Sequence, residues 1–308
     1  MEDSFDSSQA IDKQRLKALS RRSDARGLVQ LASHLLALTG SGTLVVLAGW
    51  NPWLLPAMVL HGLLLIFLFA PLHETIHRTA FASRWLNDLV AWPCGLVLML
   101  PPEYFRAFHF AHHRFTQDPG RDPELAVPKP TTRGAYLWRV TGLPYWHERA
   151  TTILKHAFGR VEASFLPERM HSTITREARA VVAVWIGLAV LSIVTGSAAV
   201  LTLWILPALL GQPALRAYLL AEHTGCPYIP DMLRNTRTTR SNAVVRWLAW
   251  NMPYHVEHHA YPAVPFHALP AAHEVIKDRI AVLATGYIAV QCAIIAGLGP
   301  SQAAAASS

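Results

Sequence analysis

Residues 27–73 contain no Asp, Glu, Lys or Arg. A run of 47 uncharged residues is enough for two helices of about 20 residues and a turn between them. The helices are expected near 29–49 and 54–72, with Asn51-Pro52 as the break. Trp50 and Trp53 flank that break as interfacial aromatics would. A second uncharged run covers residues 180–215, a tight pair of spans broken around Thr195-Gly196-Ser197. Two buried hairpins in a soluble protein are the alternative. At about 1.5 Å per residue, however, the lengths match a bilayer core. The whole chain agrees: 15% of its residues are charged and 52% hydrophobic, against about 25% charged in a soluble domain. Disorder is excluded by the same numbers.

Lys and Arg set the orientation. Lys13, Arg15, Lys17, Arg21, Arg22 and Arg26 precede the first span, and residues 73–179 and 221–279 are rich in Arg. The two inter-helix turns hold none. The positive-inside rule then puts the N-terminus and both large loops in the cytoplasm. The first 27 residues have no apolar core of a signal peptide. The net charge of +7 fits orientation and anionic headgroups rather than nucleic acid. Three scattered cysteines, Cys94, Cys226 and Cys292, form no CxxC pair and exclude a disulfide scaffold.

The expected fold is an all-α integral membrane protein. It has four transmembrane helices in two hairpins and a cytoplasmic helical cap rich in histidine. Residues 1–28 form a cytoplasmic N-terminal segment, 29–279 the main domain, and 280–308 an apolar C-terminal helix with a tail. Residues 1–12 and the Ala/Ser tail 302–308 are expected to be disordered. The stretch 86–102 carries Asp88 and two prolines near its end, and reads as a helix in the interface or under the loop. Residues 280–298 read as a helix docked on the bundle in preference to a fifth span.

Sixteen histidines stand out. Three clusters occur: His73 and His77 as HxxxH, His109, His112 and His113 as HxxHH, and His255, His258 and His259 as HxxHH again. Residues at i, i+3 and i+4 share one helix face, so each cluster aims two or three imidazoles at one spot. One HxxHH is expected by chance about 0.04 times in such a chain, so two mark a site. All three clusters lie on one side of the membrane, near its surface, and His223 ends the fourth span on that side. Nine neutral imidazoles exceed the four ligands of a structural zinc and suit two transition-metal ions, iron best by ligand count. His34, His61, His147, His156 and His171 read as ordinary core or surface histidines. His267 and His273 read as hydrogen-bonding neighbours of the third cluster.

HETIHRTAF (73–81), FHFAHHRFTQDPGRDPE (108–124) and WNMPYHVEHHAYPAVPFHALPAAH (250–273) resemble the histidine boxes of the membrane fatty acid desaturase superfamily, bacterial acyl-chain desaturases in particular. The resemblance covers about residues 30–275. It implies a di-iron centre on His73, His77, His109, His112, His113, His223, His255, His258 and His259. It also implies O₂ as co-substrate and a location in a membrane, the bacterial inner membrane for such a relative. Some members carry an asparagine one turn before the extra histidine; Leu219 stands there in this chain. Ligating histidines usually give their second N–H to a carboxylate or carbonyl. Glu74, Asp118, Asp122, Glu222 and Glu257 lie within reach in sequence, and Asn251 is a further polar candidate.

The chemistry fits the resemblance. An unactivated methylene has no acidic proton, so its oxidation needs a metal-borne oxidant. Loss of a second hydrogen gives a double bond, whereas hydroxyl transfer gives an alcohol. Desaturation of a fatty acyl chain is the first reading, and hydroxylation or ketolation of a lipid or carotenoid the second. The chain has no HPGG haem motif, CxxC pair or GxGxxG. An external electron donor of the ferredoxin, rubredoxin or cytochrome b5 type is implied, with Arg234, Arg237, Arg240 and Arg246 as a face that would attract an acidic carrier. HETIH also matches the zinc-protease HExxH. That reading needs a third ligand in a distant span and leaves two boxes unexplained. A transporter would need polar groups at mid-membrane, where the spans offer His34 and His61.

Overall fold

The computed structural model describes residues 10–299. The expected disordered ends lie outside those residues, apart from Ala10, Ile11 and Asp12. Ile11 is buried, and the Asp12 carboxylate caps α1 (Lys13–Leu19) by accepting from Arg15 N–H. Ser23 caps α2 (Asp24–Ala48) in the same way, satisfying one of the N–H groups that a helix start leaves over. After a turn carrying the exposed Trp50 and Trp53 come α3 (Leu54–Ile66) and α4 (Phe69–His77), which together form one apolar stretch, Leu54–His77. Two amphipathic helices follow, α5 (Arg84–Leu98) and α6 (Pro102–Phe115). Next are α7 (Arg133–Val140), α8 (Leu143–Ala157) and the long α9 (His171–Thr195). Gly196 ends α9 in the left-handed region at φ 60°, which a residue without Cβ adopts freely. A π-helical turn, Leu201–Ile205, runs into α10 (Leu206–His223). The C-terminal part holds α11 (Met232–Asn235), β1 (Thr238–Arg240), α12 (Ala243–Leu248), α13 (His255–Ala260), α14 (Leu269–Ile276), β2 (Leu283–Thr285) and α15 (Tyr287–Ala296).

Among the described residues, four helices are long and apolar enough to cross a membrane: Asp24–Ala48, Leu54–His77, Glu168–Thr195 and Leu201–His223. They outrun the expected spans, most of all at the N-terminus of α9 and the C-terminus of α10. Uncharged runs mark where hydrocarbon would begin, but helical hydrogen bonding continues into charged sequence. The stretch 86–102 forms α5, which buries Val90, Ala91, Cys94 and Leu98 and exposes Trp85, Leu89 and Trp92. Residues 280–298 form no long helix. Ten residues in α15 are half of what a span requires, and Val290 and Ile294 dock them on Tyr136, Leu220 and Ala221. The parallel pairing of β1 with β2 departs from the all-α expectation, because three-residue strands leave no periodicity to read.

The chain divides into two compact units, one of residues 22–110 and 143–215, the other of residues up to 21, 111–142 and from 216 on. In the first unit α2 packs on α3, α4 on α5, and α8 on α9. Gly62 of α3 meets Gly211 of α10, and a Cβ on either would run into the other helix's backbone. Small residues allow this close crossing. His34 Nε2 lies 2.9 Å from Leu64 O. His61 Nε2 lies 3.0 Å from Leu203 O, and its Nδ1 2.8 Å from Ser41 Oγ. Both are hydrogen-bonded core histidines, as expected. In the second unit α13 packs against α11, β1 and α14.

Candidate metal centre

In the first unit, α4 presents His73 and His77 one turn apart, and α6 presents His109. Their ring centroids are 5.1 Å (His73–His77), 4.4 Å (His73–His109) and 4.9 Å (His77–His109) apart. Two contacts fix this face. The Glu177 carboxylate, from α9, accepts the N–H groups of Glu103 and Tyr104 at the start of α6, at 2.8 and 3.1 Å. Arg106 Nε donates to Ile76 O at 2.9 Å, tying α6 to the last turn of α4. The Glu74 carboxylate takes the Thr79 hydroxyl at 2.8 Å, which closes the end of α4 where Arg78 turns left-handed at φ 58°.

The second unit gathers six of the proposed ligands. His112, His223 and His259 are all buried, with ligand nitrogens within 4.8 Å of one another. His255 joins them: its ring centroid is 5.0 Å from His223 and 4.5 Å from His259. His113 and His258 approach each other Nε2 to Nε2 at 3.0 Å.

The far nitrogens of several rings are held by protein. His112 Nδ1–H donates to Asp122 Oδ1 at 2.9 Å. Asp122 in turn accepts the N–H groups of Gln117 (2.8 Å) and Glu124 (2.9 Å). Burial works against the His112 cation, but Glu124 and Asp122 outweigh it and raise the pKa. Thr116 Oγ1 donates to His112 O at 2.7 Å, so its oxygen is open to His259 Nδ1–H at 3.2 Å. That leaves His259 Nε2 buried without a hydrogen-bond partner among the described residues. Burial, then the neighbouring imidazoles, push the His259 pKa well down, so the ring is a neutral donor. His223 Nδ1 lies 3.4 Å from Asn235 O, and His255 Nδ1 lies 3.5 Å from Glu222 Oε1. The Nε2 atoms of His223 and His255 lie 3.2 Å apart, close enough to converge on one cation. The set of buried imidazoles therefore fits a transition-metal ion.

The remaining sequence-predicted residues divide. Asp118 pairs with Arg121 and accepts Gly120 N–H at 3.0 Å, making a surface turn away from the rings. Glu257 is fully buried and binds Thr238 Oγ1 at 2.5 Å and His273 Nδ1; it anchors α13 from behind. His273 thus has the hydrogen-bonding role expected of it. Asn251 Nδ2 donates to Phe266 O at 3.1 Å and shapes the turn before α13. Of the four arginines read as a carrier-facing surface, Arg234 and Arg240 are exposed. Arg237 is turned onto the end of α10, where it donates to Ala221 O and, at 2.8 Å, to Thr224 O.

Several residues of this site escaped sequence reasoning. Lys129 Nζ donates to His223 O at 2.9 Å and to Gln117 Oε1 at 2.6 Å. Gln117 Nε2 donates to His223 O at 2.9 Å. A lysine between two prolines in a polar loop carries no signal of this use. Thr116 and Gln117 directly follow the second box, and that adjacency was the available hint.

A family model described as fatty acid desaturase matches residues 48–290. The chain is 26% identical over 261 residues to the sn-1 oleoyl-lipid 12-desaturase of Picosynechococcus, covering 79% of this chain and 74% of the relative. It is 26% identical over 278 residues to the dihydrorhizobitoxine desaturase of Bradyrhizobium elkanii, covering 83% and 76%. It is 23% identical over 240 residues to a sphingolipid delta(4)-desaturase/C4-monooxygenase of Mus musculus, covering 74% and 67%. These relatives are oxidoreductases acting on C–H bonds, and the three histidine boxes carry the same resemblance from the residues upward: this chain belongs to the fatty acid desaturase family.

Proposed function

We propose that the protein is a membrane desaturase that introduces a double bond into a fatty acyl chain, using O₂ and electrons from a separate carrier. The observation that carries this reading is the convergence of buried imidazoles, the outer nitrogens of His112, His259 and His223 lying on Asp122, Thr116 and Asn235, in a chain of this family. Two irons fit the ligand count. His112, His223, His255 and His259 would hold one; His73, His77 and His109 would hold the other, with His113 and His258 completing the pair. Iron with O₂ supplies the oxidant that removes hydrogen from an unactivated carbon.

The protein's own part is placement. Asp122 keeps His112 with its proton on Nδ1 and Nε2 free. Lys129, Gln117 and Arg237 hold the end of α10 and so the height of His223. Thr238, Glu257 and His273 fix α13, which presents three ligands on six residues. The four apolar helices pair as two hairpins in this reading, within a main domain of residues 29–279. The N-terminus and the histidine cap face the cytoplasm, and an acidic carrier docks near Arg234 and Arg240.

Hydroxylation is the second reading, favoured by the mouse relative, whose name includes a C4-monooxygenase. Product mass separates them: incubation with acyl lipids, a reductant system and O₂ gives loss of two hydrogens for desaturation and gain of one oxygen for hydroxylation. Peptide hydrolysis by HETIH has no support, since Glu74, its required base, is engaged by Thr79.

A further inference from the structure

The helix α15 has the wrong polarity for water. Residues 280–299 hold no Asp, Glu, Lys or Arg. Its two polar side chains, Tyr287 and Gln291, are turned onto the protein. Tyr287 stacks on Tyr218 with ring centroids 4.8 Å apart. Gln291 accepts from the Tyr136 hydroxyl at 2.9 Å and donates to Ala217 O at 2.7 Å. Val290 and Ile294 fill the seam with Leu220 and Ala221. The opposite face is apolar and open: Ile288 is 82% exposed, and Ala289, Cys292, Ala293 and Ala296 are exposed with it. Spacings of three and four residues put these five on one side of the helix. A helix apolar all round is one that water does not bathe. The neighbouring α7, which meets α15 through Tyr136 and Val140, also exposes Leu137 and Trp138.

We propose that α15 lies along the membrane boundary, with this open face in the headgroup–acyl layer, as a lipid contact separate from the four spans. Position along α10 selects lipid as the occupant. α15 docks on Ala217, Leu220 and Ala221, in the last two turns of a candidate span. The uncharged run of that span ends at Leu215, and Arg216 follows. At about 1.5 Å per residue, Ala217 to Ala221 stand about 3–9 Å beyond the hydrocarbon. A headgroup layer is about 5–7 Å deep. An interfacial helix sits at that depth, and tryptophans such as Trp138 anchor there. Charge selects against an acidic protein partner, because the open face of α15 carries no cation to recognise one. This placement requires that α10 crosses a membrane and is independent of the iron reading.

The test uses Cys292, which is exposed on this face, whereas Cys94 and Cys226 are buried. Full-length protein is labelled at the native Cys292 thiol with the fluorophore NBD and placed in phosphatidylcholine nanodiscs. Quenching is read with a doxyl lipid whose quencher lies near the headgroup, with one whose quencher lies deep in the acyl chain, and with aqueous iodide. The shallow doxyl is expected to quench at least about twofold more than the deep one, for a helix seated about 5–10 Å into the boundary. Iodide is expected to quench little. Two labels in Cys292→Ala protein calibrate the scale, each checked for an unchanged unfolding midpoint. Gly120→Cys, on a surface turn, is expected to be quenched by iodide. Gly187→Cys, on α9 where an added side chain meets nothing, is expected to be quenched by the deep doxyl. At Cys292, iodide quenching equal to that at Gly120→Cys overturns the proposal, because α15 would then lie in water. So does shielding from all three quenchers, which a second copy of the chain on this face would give, and so does a pattern matching Gly187→Cys. Iodide quenching at Gly187→Cys would refute the membrane crossing itself, and the proposal with it.

Discussion

The Lys129 ammonium sits 2.9 Å from the carbonyl oxygen of His223, at the C-terminal end of the helix that presents that imidazole. A cation is favourable there because the last carbonyls of a helix lack intrahelical donors and carry its negative end. Burial lowers the Lys129 pKa to about 8, yet the group remains charged at neutral pH. Lys129→Met is expected to keep the bulk, leave His223 O with one donor fewer, and weaken metal retention about tenfold. Lys129→Arg should retain more metal than the methionine variant. Metal per chain after a chelator challenge reads this directly; equal retention in all three proteins would remove Lys129 from the positioning of His223.

Asp122 holds one proton in place. Its Oδ1 accepts from His112 Nδ1–H, which would leave Nε2 to bind the proposed metal ion. Asp122→Asn keeps the shape but presents either an amide N–H or a weaker acceptor to that ring. Loss of such an outer partner typically costs about 10–100-fold in metal affinity or activity. The expected result is a folded protein with depleted metal, and a fully loaded, fully active Asp122→Asn variant would contradict the assignment.

Behind the third box, Glu257 is fully buried between Thr238 and His273. Removing one partner of such a pair leaves a polar group buried without compensation, at a cost of about 3 kcal/mol. His273→Ala should therefore lower the unfolding midpoint strongly and lose metal with it. Glu257→Gln, still able to bond both partners, should do less. Thermal unfolding in detergent ranks the two; the reverse order would mean that the pair is dispensable.

The crossing of α3 and α10 at Gly62 and Gly211 has no space for a side chain. Gly211→Val is expected to destabilise the protein by about 1–3 kcal/mol or more through overpacking. Gly187→Ala, where an added Cβ meets nothing, should be neutral. Yield of monodisperse protein and its unfolding midpoint compare them.

Much of this was legible in the sequence because it is written in strong periodic or compositional signals. Absence of charge over residues 27–73 and 180–215 located the four long helices, since a buried charge is too costly for chance to leave such gaps. Histidine spacing located the rings, since i, i+3 and i+4 positions share a helix face whatever the tertiary structure. Contacts distant in sequence left no such trace. Glu257 lies between His255 and His258 in sequence, yet it faces Thr238 and His273, because a six-residue helix has a back as well as a front. Asp118 is nearer in sequence to the second box than Asp122, yet it is Asp122 that reaches a ring; the chain turns at Asp118, which pairs with Arg121. Lys129, Arg237 and Glu177 act on helix ends that a linear reading does not bring near them. The strands β1 and β2 are too short for any pattern.

Nine histidines holding a di-iron centre would supply the C–H oxidation proposed for this chain. The most direct test is the metal content of gently solubilised protein, per chain, by inductively coupled plasma mass spectrometry, with His258→Ala and His112→Ala alongside. About two irons per chain are expected in the wild type, with a marked loss in both folded variants. One zinc with no iron, unchanged by either substitution, would contradict it.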